Sequence, residues 1–107
     1  MTSLRKKHPG NARVAYLLGN LYLEKLWGQE GFDAYKAAVR NDPAYRKDPV
    51  LIRASVRMLV SDTHGWRASR FLRDEIGKDA IPYLEEVQNS KVTRIRQSAR
   101  RLLAELR

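Results

Sequence analysis

Residues 11–43 read NARVAYLLGNLYLEKLWGQEGFDAYKAAVRNDP, and this stretch decides the fold. Asn11 offers a side-chain oxygen to the unpaired N–H groups of a first helical turn, so a helix is expected from there to about Trp27. Within it Ala15, Leu18 and Tyr22 recur at i, i+3 and i+7, with Leu17 and Leu21 beside them. That is the period of a helix with one buried face. Gly28 is expected to supply the turn that follows. A second helix, about 29–40, places Phe32, Tyr35, Ala38 and Val39 on one side, and Asp42-Pro43 stops it. A short connection between two such helices makes them antiparallel neighbours.

The same reading extends downstream. Asp48-Pro49 is a start signal, an acceptor at the N-cap with proline at the first helical position. The third helix, expected to about Ser61, is apolar nearly all round apart from a stripe of Arg53, Arg57 and Ser61, which predicts a central element. A fourth, about 66–76, carries Phe71, Leu72 and Ile76 inward and stops at Gly77 in a left-handed cap. Asp79 is expected to cap a fifth helix with Pro82 in its first turn. A sixth, about 92–106, presents Val92, Ile95, Ala99, Leu102, Leu103 and Leu106 to the core. No run alternates with the period of two that marks a strand. The fold class is therefore all-α, about six antiparallel helices.

Composition narrows the function classes. The chain has 107 residues, 43% hydrophobic and 31% charged, which is the profile of one globular domain. It has no cysteine, so disulfide frameworks, thiolate metal sites and cysteine nucleophiles are excluded. The longest mainly apolar stretch, 14–23, is well short of the ~20 residues of a membrane helix, and no signal peptide is visible. Integral membrane association is not expected, and a cytoplasmic location is. The 21 Lys and Arg against 12 Asp and Glu give a net charge of +9, which raises the question of an acidic partner.

Turn residues recur at a fixed spacing. Pro9 and Pro43 are 34 apart, as are Gly31 and Gly65, Pro43 and Gly77, and Gly65 and Ala99. A period near 34 marks a helical-hairpin repeat. Counted from Ala12, the residues Ala15, Leu18, Gly19, Tyr22, Gly31, Tyr35, Ala38 and Pro43 fall on the signature positions of the tetratricopeptide repeat, which residues 11–45 resemble. Ala15 and Gly31 depart from that family's usual Trp and Ala. Residues 46–77 keep the period without the signature. Residues 78–107 are similar to a HEAT-type hairpin through Ile81-Pro82-Tyr83-Leu84 and Ile95-Arg96 with Ala99, Leu102 and Leu103. Residues 1–10 read either as a basic tail or as the remnant of a preceding repeat. The combination resembles C-terminal repeat regions of bacterial multidomain signalling proteins. It implies a right-handed helical-repeat solenoid in which Gly19 and Gly31 let two helices approach closely, while Tyr22 and Tyr35 wedge between hairpins.

Catalysis has little support. His64 lies two residues from Asp62, as a general base would require, but in a stretch that reads as an ordinary capped loop. The acids Asp74, Glu75, Asp79, Glu85 and Glu86 stand beside arginines and lysines on solvated helix faces. No phosphate-binding glycine loop is present, and no metal or cofactor is expected. Binding is the better class. The repeat resemblance implies a groove lined by Arg13, Tyr16, Asn20, Leu23 and Glu24 of the first helix, with Lys47, Val50, Ala54 and Arg57 of the next hairpin. Asn20 would bond a ligand backbone, and Arg13, Lys47 and Arg57 would favour an acidic segment or terminal carboxylate. The expected function is a non-catalytic interaction or scaffold module for a protein or peptide partner, within a larger protein. The alternative is nucleic-acid binding through Arg94, Arg96, Arg100 and Arg101, because residues 91–107 carry six cations against one acid. Uncapped repeat ends leave room for a homodimer.

Overall fold

A computed structural model describes residues 11–107, and these form helices joined by short turns, with no strand among the described residues. The expectations for residues 1–10 lie outside the described residues. In chain order the elements are α1 (Ala12–Glu24), α2 (Gly28–Asn41), a 3-10 turn (Pro43–Lys47), α3 (Pro49–Arg57) and a 3-10 turn (Met58–Val60). Then come α4 (Gly65–Phe71), a π turn (Leu72–Ile76), a 3-10 turn (Gly77–Ala80), α5 (Ile81–Val87) and α6 (Thr93–Leu106). The radius of gyration is 13.3 Å, close to the ~13 Å of a compact 100-residue domain.

The helix starts follow the chemistry of capping. The Asn11 side chain accepts from the Val14 N–H at 3.0 Å. Asp48 accepts from the Leu51 N–H at 2.9 Å, with Pro49 at the first helical position. Asp42 caps the 3-10 turn through the Ala44 N–H at 3.1 Å. Asp79 does not cap α5. A 3-10 turn runs into that helix, which begins without a side-chain cap.

The first helix ends earlier than its apolar period suggests, at Glu24, and the turn is not made by Gly28. Leu26 makes it, at a positive φ of 64°. Its N–H donates to Leu23 O at 3.0 Å, the Trp27 N–H reaches back to Tyr22 O at 2.8 Å, and the Tyr22 and Trp27 rings stack at 5.8 Å. This is the double hydrogen-bond closure with its hydrophobic clasp that usually carries glycine at the left-handed position. Tyr22 therefore covers the end of its own helix instead of wedging between hairpins. Gly28 opens α2, where a Cβ would stand 2.4 Å from His64 Cγ.

The α1–α2 pair packs through small residues. A Cβ on Gly19 would lie 2.2 Å from Cδ1 of Tyr35, and one on Gly31 would lie 2.4 Å from Cδ2 of Leu23. Tyr35 is fully buried and joins Phe32 and Phe71 in an aromatic cluster, with ring centroids 5.3 to 6.4 Å apart. α3 is central, as its all-round apolar sequence requires. Leu51, Ile52 and Ser55 are fully buried, and Ser55 satisfies its hydroxyl by donating to Leu51 O at 2.9 Å. The expected single helix to Ser61 tightens to 3-10 after Arg57, and the expected α-helix to Ile76 widens into a π turn after Phe71. Gly77 has a positive φ of 69° but ψ of −138°, so it stops the chain outside the left-handed helical region. In α6, Ala99, Leu102 and Leu103 are buried, whereas Val92 is 43% exposed and belongs to the turn before it.

Candidate functional site

α1 and α3 enclose an open groove of about 680 Å³. Its floor and rims include Leu23, Leu26, Val50, Ala54, Met58 and Val60, with Asn20, Glu24, Arg57 and Ser61 as its polar members. Leu26, Val50 and Val60 are among the most exposed large apolar side chains of the described residues. A contiguous apolar concavity with a few polar groups is the usual form of a binding site.

The frame of this groove is a small polar network. Asp48 Oδ2 accepts both the Leu51 N–H, as the cap of α3, and the Tyr16 hydroxyl at 2.8 Å. One carboxylate oxygen thus ties α1 to the start of α3. The Tyr16 ring stacks on Tyr45 at 4.7 Å. The Tyr35 hydroxyl donates to Asn20 Oδ1. Burial pushes the Tyr35 hydroxyl well above its ordinary pKa, helped by Tyr16 and Asp48, while the positive charge of Arg57 pulls the other way. Burial also raises Tyr16, with Asp48 adding to the rise and the Asn20 amide opposing it. The Asn20 amide oxygen is taken up by Tyr35, and the Tyr16 hydroxyl by Asp48.

Of the groove residues expected from sequence, Asn20, Leu23 and Arg57 come together, with Glu24, Val50 and Ala54. Leu23 is buried against Gly31 and serves as floor. Tyr16 is part of the frame. Arg13 and Lys47 are exposed and do not line the groove. Leu26, Met58, Val60 and Ser61 line it without having been singled out. For Leu26, Met58 and Val60 the only sequence signal is apolar character at a helix end, while Ser61 belongs to the polar stripe with Arg53 and Arg57; it takes the left-handed turn at Leu26 and the 3-10 turn after Arg57 to aim them here.

The basic C-terminal residues are largely engaged. Arg94 pairs with Asp62. Arg96 donates to Ser90 O at 3.1 Å, and Arg100 donates to Gln88 O at 2.8 Å and to Asn89 Oδ1 at 3.0 Å. These contacts close the α5–α6 connection. Arg101 is exposed with no such bond among the described residues. Because Asp62 faces Arg94, it does not orient His64, whose imidazole packs on Gly28 with Nδ1 buried and unpartnered among the described residues. Two of the acids near Gly77, Glu75 and Asp74, are paired too. Glu75 takes both ends of the Arg40 guanidinium at 3.0 and 3.1 Å. The Arg73 guanidinium holds the Asp74 carboxyl below its ordinary range. Among the described residues no group of three or more acidic or histidine side chains is placed to hold a metal ion, and no helix is long and apolar enough to cross a membrane. No family model, curated protein or solved structure matches this chain.

Proposed function

We propose that this chain is a non-catalytic interaction module, a tetratricopeptide-like helical repeat that takes a short partner segment in the α1–α3 groove. The observation that carries this reading is the open, mostly apolar groove of about 680 Å³ with Leu26, Val50 and Val60 exposed around it. The segment presents apolar side chains to that surface. An acidic group on it meets Arg57, which is exposed and has no ion pair among the described residues. The 34-residue spacing of turn residues in the sequence supports the repeat reading.

Peptide display against the whole chain tests it, with Val50→Glu as the counter-selection. Peptides combining apolar residues with Asp, Glu or a free carboxylate should be enriched. They should lose at least about tenfold in affinity for Val50→Glu and for Arg57→Glu. Selected peptides that bind both variants as well as the wild type would overturn the groove reading. The competing reading, nucleic-acid binding through Arg94, Arg96, Arg100 and Arg101, is tested by titrating a labelled DNA duplex at two salt concentrations. The contacts of Arg94, Arg96 and Arg100 within the domain favour the groove.

A further inference from the structure

The outward face of α1 carries a pattern that shares only Glu24, at one end, with the groove. Arg13, Leu17, Leu21 and Glu24 follow at spacings of four, four and three, so they share one side of the helix. All four are exposed, with Leu17 at 50% and Leu21 at 42%. Neither Arg13 nor Glu24 has an ion pair or side-chain hydrogen bond among the described residues. By contrast Arg40, Arg53, Arg70, Arg73, Arg94 and Arg107 all pair with acids. The helix thus presents two leucines between a cation at one end and an anion at the other.

Such a stripe is complementary to itself when reversed. We infer that this face pairs with the same face of a second copy of the chain, the two α1 helices lying antiparallel about a two-fold axis between Leu17 and Leu21. In that arrangement Leu17 of each copy meets Leu21 of the other. Arg13 comes opposite Glu24 within one residue of register, about 1.5 Å along the axis. The two-fold axis makes every contact twice. A partner of uniform charge would satisfy only one end of the stripe, which is why the pattern selects a copy of the chain itself. The contact is one helix wide, below the ~1,200 Å² of stable interfaces. Each copy also carries a net charge of +9. The dimer is therefore weak and reversible, dissociating in the range of about 10 to 100 μM.

Sedimentation analysis of the full chain across a concentration series, near 0.15 M salt, tests this. A monomer–dimer equilibrium is expected, weakened at least about tenfold by Leu17→Glu. Arg13→Glu and Glu24→Arg should each weaken it, and the double variant Arg13→Glu/Glu24→Arg should restore it to within about threefold of wild type. All these positions are exposed, and circular dichroism checks that each variant is folded. Val50→Glu, which obstructs the groove, should leave the dimer unchanged, so this inference stands or falls apart from the groove reading. A monomer persisting to about 1 mM would overturn it. So would a dimer indifferent to Leu17→Glu, or a double variant no better than the single ones.

Discussion

The first hairpin and the last solve the same problem by different means. In α1–α2, two long helices meet where Gly19 and Gly31 remove side chains, and the buried Tyr35 fills the space beneath Gly19. In α5–α6 no glycine is present. Leu84, Ala99, Leu102 and Leu103 make an ordinary apolar seam, and the connection is fastened by arginines reaching back to Ser90, Gln88 and Asn89. Arg107 adds a bridge to Glu85 at 2.7 Å. The first hairpin depends on what is absent at two positions, and the second on long side chains that look free in the sequence. Charge density is therefore a poor guide to a binding surface when the cations have carbonyl oxygens of their own chain within reach.

The sharpest way to break the first half of that comparison is Gly19→Ala. Helix propensity alone favours alanine by about 1 kcal/mol. The new methyl would stand 2.2 Å from Tyr35 Cδ1, on a ring with no solvent side to move to. Overpacking should win, with a net loss of about 1 to 3 kcal/mol in a urea titration. Gly31→Ala should cost stability as well, because its methyl would stand 2.4 Å from Cδ2 and 2.7 Å from Cγ of the buried Leu23, with the Leu23 backbone N at 3.3 Å. A Gly19→Ala protein more stable than wild type would mean that close approach is not what the glycine provides.

The second half is sharpened by comparing two neighbours on α6. Arg100→Ala removes the bonds to Gln88 O and Asn89 Oδ1 and should cost about 1 kcal/mol. Arg101→Ala removes an exposed side chain with no such bond and should stay within about 0.5 kcal/mol of wild type. Thermal unfolding followed by circular dichroism distinguishes them. Equal effects would show that the arginine contacts do not fasten the connection.

These residues also mark how far the sequence could be read. The starts of α1 and α3 were legible because Asn11 and Asp48 act on N–H groups three residues away, so cause and effect lie close together along the chain. The central place of α3 was legible because few positions on it are polar. Gly19 and Tyr35 were legible through the repeat pattern. The partners of Arg96 and Arg100 were not, since backbone carbonyls have no signature in a sequence. The groove was half legible. The repeat resemblance implies Asn20, Leu23 and Arg57 as groove residues, and these three line it. The π turn after Phe71 and the 3-10 turn after Arg57 change the rotation per residue, and no single residue type announces them. Leu26 was the plainest miss, because the turn was assigned to the nearest glycine.

Leu26 is also where fold and function pull apart. A leucine at positive φ is strained by about 1 to 2 kcal/mol, and here the side chain recovers little, being 70% exposed. Glycine relieves the strain but gains freedom in the unfolded chain. The balance predicts that Leu26→Gly stabilises the domain by about 0.5 kcal/mol. The same substitution removes an apolar side chain from the rim of the groove, so peptides selected against the wild type should bind it several-fold more weakly. The two effects have opposite signs. A purely structural leucine would lose stability and leave binding unchanged, whereas a residue kept for contact gains stability and loses binding. Measuring both on one variant, by urea titration and by peptide affinity, separates the two.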